Sequence, residues 1–234
     1  MNIIGRFLVA TAVATSALLS APFNSPFASA APCPEIEVLF ARGTFEPVGV
    51  GGTGQAFVDS LRSKVGEKSV DVYPVNYPAS LDFKTAADGV IDATNKIRDV
   101  VATCPNTKMV LGGYSQGAAV MAYATEDAIP AGYTLPPGIT GPMAPAVADH
   151  VAAVALFGKP SSGFLQMIYT GAPPITVSEL YAGKTVDLCI PEDNICSPGG
   201  NDNAAHNLYA VNGMAEQAAD FAARQLSSSS RTAT

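Results

Sequence analysis

Ser115 stands in Gly113-Tyr114-Ser115-Gln116-Gly117, between the apolar run Met109-Val110-Leu111 and the small-residue stretch Gly117 to Ala122. That order reads as a buried strand, a sharp turn and the start of a closely packed helix, with one serine at the apex. Such a turn holds the serine in a strained backbone conformation with its hydroxyl above the sheet. Glycines flank it because a side chain there would clash with the neighbouring strand or helix. Ser115 is therefore a candidate nucleophile. A plainer reading, a serine that merely caps a helix, rests on the same five letters, so the decision turns on partners elsewhere in the chain.

A serine hydroxyl needs a neighbouring base, and the sequence holds two histidines, His150 and His206. His150 directly precedes the apolar run Val151 to Phe157, at what should be the N-terminal end of a strand. Ligand sites in open parallel sheets lie at the opposite ends, so His150 reads as a structural or surface residue. His206 follows the last predicted strand at the start of the final helix, where it can reach back to an apex serine. It is the candidate general base, and then the acid for the leaving group. A carboxylate must orient the imidazole and stabilise its cation; Asp187, Glu192, Asp193 and Asp202 are nearby. Asp187 lies inside an apolar strand, and Asp202 is too close in sequence to His206 for rigid support. Asp193 falls just past the strand end, between Cys189 and Cys196, where a clamp would fix it. The resulting order Ser115, Asp193, His206 is that of α/β-hydrolases. A tetrahedral intermediate also needs donors for its oxyanion. The backbone N–H of Gln116 is one, and the turn Arg42-Gly43-Thr44 after an early strand supplies a second, with the Thr44 hydroxyl as an addition.

Composition narrows the setting. Arg6 is followed by an apolar stretch, Phe7 to Leu19, and by Ala28-Ser29-Ala30, a small-x-small cleavage pattern, so residues 1–30 read as a secretory signal peptide. Its apolar core is too short for a membrane anchor, and no second segment of the sequence reaches spanning length. Cleavage leaves about 204 of the 234 residues, one domain with a substantial core. The net charge of −7, slightly more acidic without Arg6, with no basic run, argues against nucleic-acid binding. Four cysteines, Cys33, Cys104, Cys189 and Cys196, in an exported chain favour two disulfides. Three pairings are open. The turn-rich loop between Cys189 and Cys196 suits a local bridge, which leaves Cys33 with Cys104. Metal binding is disfavoured, because the spacing is wrong for zinc pairs.

Stepping along the chain gives the elements that must hold these groups. Strands are predicted at 36–41, 69–75, 108–114, 151–157 and 185–190. A glycine-rich loop, 48–54, precedes a helix marked by Phe57, Leu61 and Val65, and 86–104 is a second helix with Val90, Ile91, Ile97, Val101 and Cys104 on one face. A final helix is expected over 205–226, with Leu208, Val211 and Met214 among its buried side, and 227–234 as a disordered tail. Strands alternating with helices, several of them continuous apolar runs, indicate an α/β domain with a mostly parallel sheet of about five strands covered on both faces. Two interruptions, 128–147 and the apolar but irregular 163–177, are either surface loops or walls of an apolar groove. The second is the better candidate for touching substrate.

The chain resembles the cutinases, and within them the cutinase-like esterases exported by mycobacteria. Phe40-Ala41-Arg42-Gly43-Thr44-Phe45-Glu46 is similar to that family's oxyanion loop, which carries Ser or Thr at the position of Thr44. Gly113 to Gly117 is similar to its nucleophile turn, and Cys189-Ile190-Pro191-Glu192-Asp193-Asn194-Ile195-Cys196 to its disulfide-bounded loop with the catalytic Asp. His206, thirteen residues beyond Asp193, fits the family's histidine. The resemblance covers nearly all the mature chain and departs at 128–147, which is longer and richer in Pro and Gly. It implies a three-layer αβα sandwich of α/β-hydrolase type, a Cys33–Cys104 bridge and an exposed site without a large lid. It implies a secreted serine esterase, extracellular or in the cell envelope, acting as a monomer without cofactor or metal on a small-molecule or lipid ester. Short- to medium-chain acyl esters would pass through an acyl-Ser115 intermediate. The alternatives are a phospholipase or acyltransferase with the same triad, and an exported binding protein with little turnover.

Overall fold

Burial along the strands shows how the chain divides its apolar residues between two faces of one sheet. In β1 (Ile36–Ala41) every residue is buried; Leu39 and Ala41 join one core, Ile36, Val38 and Phe40 the other. β3 (Lys108–Tyr114) splits the same way, Met109 and Leu111 against Val110, as the two-residue period of a strand requires. The structure is a computed structural model and describes residues 32–229. The expected signal peptide lies outside those residues. With β2 (Val70–Pro74), β4 (Val151–Phe157) and β5 (Thr185–Leu188), the strands form one five-stranded sheet in the order β2-β1-β3-β4-β5, all neighbours parallel. β1, β3 and β4 have the bounds read from the sequence, because their runs are apolar throughout and end in polar or glycine turns.

α1 (Gly51–Val65) packs with α6 (Met214–Ser229) on one face of the sheet, and α2 (Ala86–Thr103) with α3 (Gln116–Ala124) on the other. Three layers result, with the two cores meeting only through the sheet. On the α1/α6 side, Phe157 meets Phe57 edge to face at 5.8 Å and Tyr209 at 6.3 Å. Two short helices, α4 (Ser162–Ile168) and α5 (Glu179–Ala182), lie between β4 and β5. Cys33–Cys104 ties the segment before β1 to the end of α2, and Cys189–Cys196 closes the loop after β5.

Three expectations are corrected at helix ends. Gly51 to Gly54, read as loop, form the first turn of α1: the Glu46 carboxylate accepts from the Gly52 N–H at 2.7 Å, an anion at a helix N-terminus. Gly54 is required there because a Cβ would stand 2.6 Å from the Phe40 ring. The final helix starts at Met214, not near 205. Ala205–Asn207 is one 3-10 turn, Gly213 at φ 91° breaks the path, and Asn212 Oδ1 caps the Met214 N–H at 3.0 Å. Leu208 and Val211, expected on its buried side, are 44% and 78% exposed. At its other end α6 continues to Ser229, taking in the first residues of the expected tail; the remainder lies outside the described residues. Segment 163–177 is partly regular, since Ser161 caps α4 through the Phe164 N–H.

The closest approach between layers is at the start of α3. A Cβ on Gly117 would fall inside contact with the carbonyls of Ala41 and Arg42, and one on Gly113 inside contact with the Gly117 backbone. Because backbone cannot yield as a side-chain tip can, Gly117→Ala should destabilise the fold by about 3 kcal/mol or more in urea unfolding. Gly183→Ala, where a Cβ meets nothing within 4 Å, should change it by less than about 0.5 kcal/mol.

Candidate active site

Ser115 joins β3 to α3 at φ 55°, ψ −119°, a region that L-residues rarely enter. Its N–H donates to the Phe157 carbonyl at 2.8 Å, and its carbonyl accepts from the Ala118 N–H at 2.9 Å. The hydroxyl makes no capping bond to the helix. Instead Ser115 Oγ lies 2.8 Å from His206 Nε2, and His206 Nδ1 lies 2.7 Å from Asp193 Oδ2. Residues separated by 91 and 13 positions thus form one hydrogen-bonded line. Ser115 and His206 are each 8% exposed and Asp193 is fully buried.

Asp193 is held from several sides. Its Oδ1 accepts from the Ile195 N–H at 2.9 Å, and its Oδ2 accepts from the Tyr209 hydroxyl at 2.7 Å as well as facing His206. The Cys189–Cys196 bridge closes over it, with Cys196 Sγ 3.2 Å from Oδ2. Tyr209 also accepts from the Ile190 N–H at 3.1 Å, so one phenol ties the end of the β5 loop to the carboxylate. Burial pushes the Tyr209 phenol well above its ordinary range, and donation to Asp193 adds to that; it therefore remains a donor. Tyr114 does the corresponding work for His206. Its ring stacks on the imidazole at 5.0 Å and its hydroxyl donates to the His206 carbonyl at 2.6 Å. Gly158, at φ 56°, lets the imidazole lie over the chain beyond β4, where a Cβ would sit 2.9 Å from His206 Cε1.

The other carboxylates and His150 have different occupations. Asp187, on β5, pairs with Lys159 at 3.3 Å. Asp202 Oδ1 accepts from the Ala204 N–H at 2.7 Å, capping the turn that carries His206. Glu192 is exposed. His150 ends the 3-10 segment before β4, on the N-terminal edge of the sheet.

Around the serine hydroxyl, the early loop after β1 is shaped by two residues whose roles the spacing alone did not reveal. Glu46 Oε2 accepts from the Gly43 N–H at 2.6 Å, which leaves the next donor, the Thr44 N–H, without a hydrogen bond among the described residues. The Gln116 N–H is free in the same sense, as the first turn of a helix dictates. Arg42 is buried, and its guanidinium is satisfied by carbonyls: Nε donates to Glu46 O at 2.9 Å and Nη2 to Tyr77 O at 2.7 Å. Tyr77 returns a hydrogen bond to the Arg42 carbonyl. The Gln116 side chain, also buried, donates from Nε2 to Ser80 O at 2.9 Å. Exposed apolar residues sit on the loops that carry these groups: Phe45 beside Thr44, Leu81 beside Ser80, Leu208 and Val211 after His206. Tyr114 and Tyr209 were legible only as tyrosines adjacent to Ser115 and three residues after His206.

Known proteins share this sequence pattern and fold. The family model described as Cutinase matches residues 32–226. The chain is 51% identical over 221 residues to Carboxylesterase Culp1 of Mycobacterium tuberculosis, covering 94% of each chain. It is 47% identical over 219 residues to Phospholipase Culp4 of the same organism, covering 94% of this chain and 90% of that one. Among solved structures, Trichoderma reesei cutinase in complex with a phosphonate inhibitor superposes with a TM-score of 0.63 at 35% identity, covering 83% of this chain and 78% of that one. The catalytic core domain of acetyl xylan esterase from Trichoderma reesei gives a TM-score of 0.66 at 26% identity, covering 83% and 100%. The architecture is that of the α/β-hydrolases.

Removing the Tyr209 hydroxyl takes one donor from the buried carboxylate and the acceptor from the Ile190 N–H. In Tyr209→Phe, kcat for an ester substrate should fall about tenfold, with KM changed less than about twofold, the size expected for one hydrogen bond to a charged group. The acid limb of the rate–pH profile should move to higher pH, because a carboxylate with one donor fewer holds a protonated imidazole more tightly. A merely structural loss would lower the active fraction without moving that limb.

Proposed function

The chain belongs to the cutinase family and is a carboxylic ester hydrolase, and we propose that it cleaves short- to medium-chain acyl esters through an acyl-Ser115 intermediate. The observation that carries this reading is the unbroken line Ser115 Oγ, His206, Asp193 at 2.8 and 2.7 Å. Ser115 Oγ attacks the ester carbonyl as His206 Nε2 takes its proton. Asp193, accepting from Nδ1, keeps the tautomer that leaves Nε2 free to accept and then stabilises the imidazolium. The oxyanion is met by the N–H groups of Thr44 and Gln116, and the Thr44 hydroxyl adds a third donor. His206 then returns the proton to the departing alcohol. A water molecule repeats the sequence on the acyl-enzyme and releases the carboxylic acid.

The apolar side chains on the surrounding loops, Phe45, Leu81, Leu208 and Val211, favour an ester with an apolar acyl part. Export is part of the same reading: residues 1–30 act as the signal peptide and 31–226 as the single catalytic domain. Two disulfides fit an oxidising compartment. Among the described residues, no helix is long and apolar enough to cross a membrane.

With p-nitrophenyl esters from acetate to palmitate, the protein should turn over the shorter members, and Ser115→Ala should lower kcat by at least about 10⁴-fold. A fluorophosphonate should label the parent and not that variant. Activity should decline on the acid side, as a protonated His206 can no longer accept from Ser115. Ser115-independent turnover would overturn the assignment.

A further inference from the structure

Among the described residues, three that are not glycine stand at positive φ: Phe45 at 65°, Ala79 at 50° and Ser115 at 55°. They are far apart in sequence and joined in space. The Phe45 N–H donates to the Ala79 carbonyl at 2.8 Å. The next carbonyl, that of Ser80, accepts from Gln116 Nε2 at 2.9 Å, and Gln116 follows Ser115. Backbone strain of this kind costs stability and persists only where the surroundings over-determine it. At Phe45 its origin is local. The Glu46 N–H donates to the Gly43 carbonyl at 3.2 Å, closing a turn with Thr44 and Phe45 at its centre. A positive φ at the third residue of such a turn is ordinarily left to glycine.

This turn carries the Thr44 N–H, and two contacts set its direction. The Thr44 N–H shares a planar peptide unit with the Gly43 carbonyl, so the bond from Glu46 fixes one side of Thr44. The peptide between Thr44 and Phe45 is fixed by Ala79. Ala79 itself lies in the irregular stretch between β2 and the 3-10 turn Phe83–Thr85. Asp92 accepts from the Asn76 N–H at 2.8 Å, and Arg42 donates to the Tyr77 carbonyl, which together hold the start of that stretch. Beyond Ala79, the tie that reaches back to the nucleophile turn is the Gln116 amide. Gln116 is fully buried, and only its Nε2 can face a carbonyl, which fixes the orientation of the amide. Its Oε1 is buried too and accepts from no group among the described residues. A buried acceptor without a donor costs stability. An apolar side chain of the same length would not carry that cost, so the amide at this position is explained by what Nε2 holds.

We propose that the side chain of Gln116 is a positioning group for the oxyanion site. Through the Ser80 carbonyl it seats Ala79 against the Phe45 N–H, and so sets the spacing between the N–H groups of Thr44 and of Gln116 itself. The assignment rests on the ester-hydrolase reading above and deepens it. The test compares Gln116→Met, which keeps the backbone N–H and the length but removes the donor, with Gln116→Glu. Rates on p-nitrophenyl butyrate are taken per Ser115 titrated with a fluorophosphonate. In Gln116→Met, kcat should fall about tenfold with KM within about twofold. Trifluoromethyl hexyl ketone becomes an oxyanion when Ser115 Oγ adds to its carbonyl carbon and His206 takes the proton. It should bind that variant more weakly by a similar factor, while the urea midpoint does not fall. In Gln116→Glu, the ionised carboxylate cannot donate to Ser80. The ratio of its kcat to that of the parent should therefore be lowest at alkaline pH and rise as the pH falls, when the acid form, favoured by burial, donates instead. A charge that acted only on His206 would lower that ratio towards acid pH. Parent-like kcat or unchanged ketone binding in Gln116→Met overturns the proposal, as does a Gln116→Glu ratio that is flat or falls towards acid pH. A Gln116→Met chain that does not fold also overturns it, because the amide would then serve the core. If the parent turns over no ester and Ser115 takes no label, the hydrolase reading fails, and the positioning role fails with it.

Discussion

The sharp reversal at Ser115 fixes where β3 ends and α3 begins, and the hydrogen-bonded line to His206 and Asp193 is built out from it. A non-glycine residue at φ 55° is strained, and it persists because the backbone on either side has nowhere else to go. β3 enters between β1 and β4, and α3 leaves so close to β1 that Gly117 touches the carbonyls of Ala41 and Arg42. The strain has a use. It ends the strand with the serine hydroxyl outside the helix's own hydrogen bonding, and it brings the first N–H of α3 beside the loop after β1. Neither result follows if a Cβ is added at Gly113 or Gly117.

From that fixed point, the other groups are positioned by tethers that reach across sequence. The buried guanidinium of Arg42 is an unusual tether, because its charge is met by backbone carbonyls. Such a group is costly to desolvate and is tolerated when its donors are filled. Glu46 completes the arrangement by taking the Gly43 N–H and the Gly52 N–H, so one carboxylate both caps α1 and leaves the Thr44 N–H open. On the opposite side, two tyrosines flank the imidazole. Tyr114 stacks on it at an interplanar angle of 30°, and Tyr209 meets it edge-on at 84°. One secures the backbone of His206 and the other the carboxylate that His206 addresses. Burial holds both phenols above their usual range, so each hydrogen bond is kept throughout the pH range in which the imidazole works.

The two faces of the sheet have unlike duties. The α1/α6 face is closed by aromatic packing around Phe40, Phe57 and Phe157. The α2/α3 face is built largely from alanines and valines, whose small side chains leave room for segment 128–147 to stand off from the helices.

The strands are legible in the amino-acid order, because continuous apolar runs bounded by polar turns admit little else, and β1, β3 and β4 have the predicted bounds. It also singled out Ser115, Asp193 and His206, since the histidine and the bracketed carboxylate each had few rivals in the right chain order. Tertiary structure alone decided what depended on contacts between distant segments. The glycines of α1 read as loop because the Glu46 cap that starts the helix comes from outside it. Leu208 and Val211 matched a helical period yet stand in solvent, since periodicity records spacing and not the partner that must cover it. The tyrosine supports had no sequence signature: a phenol's hydrogen bond is defined by where folding brings an acceptor. Likewise, the proline-rich segment 128–147 becomes the wall of an apolar cavity only when α2 and α3 are beneath it.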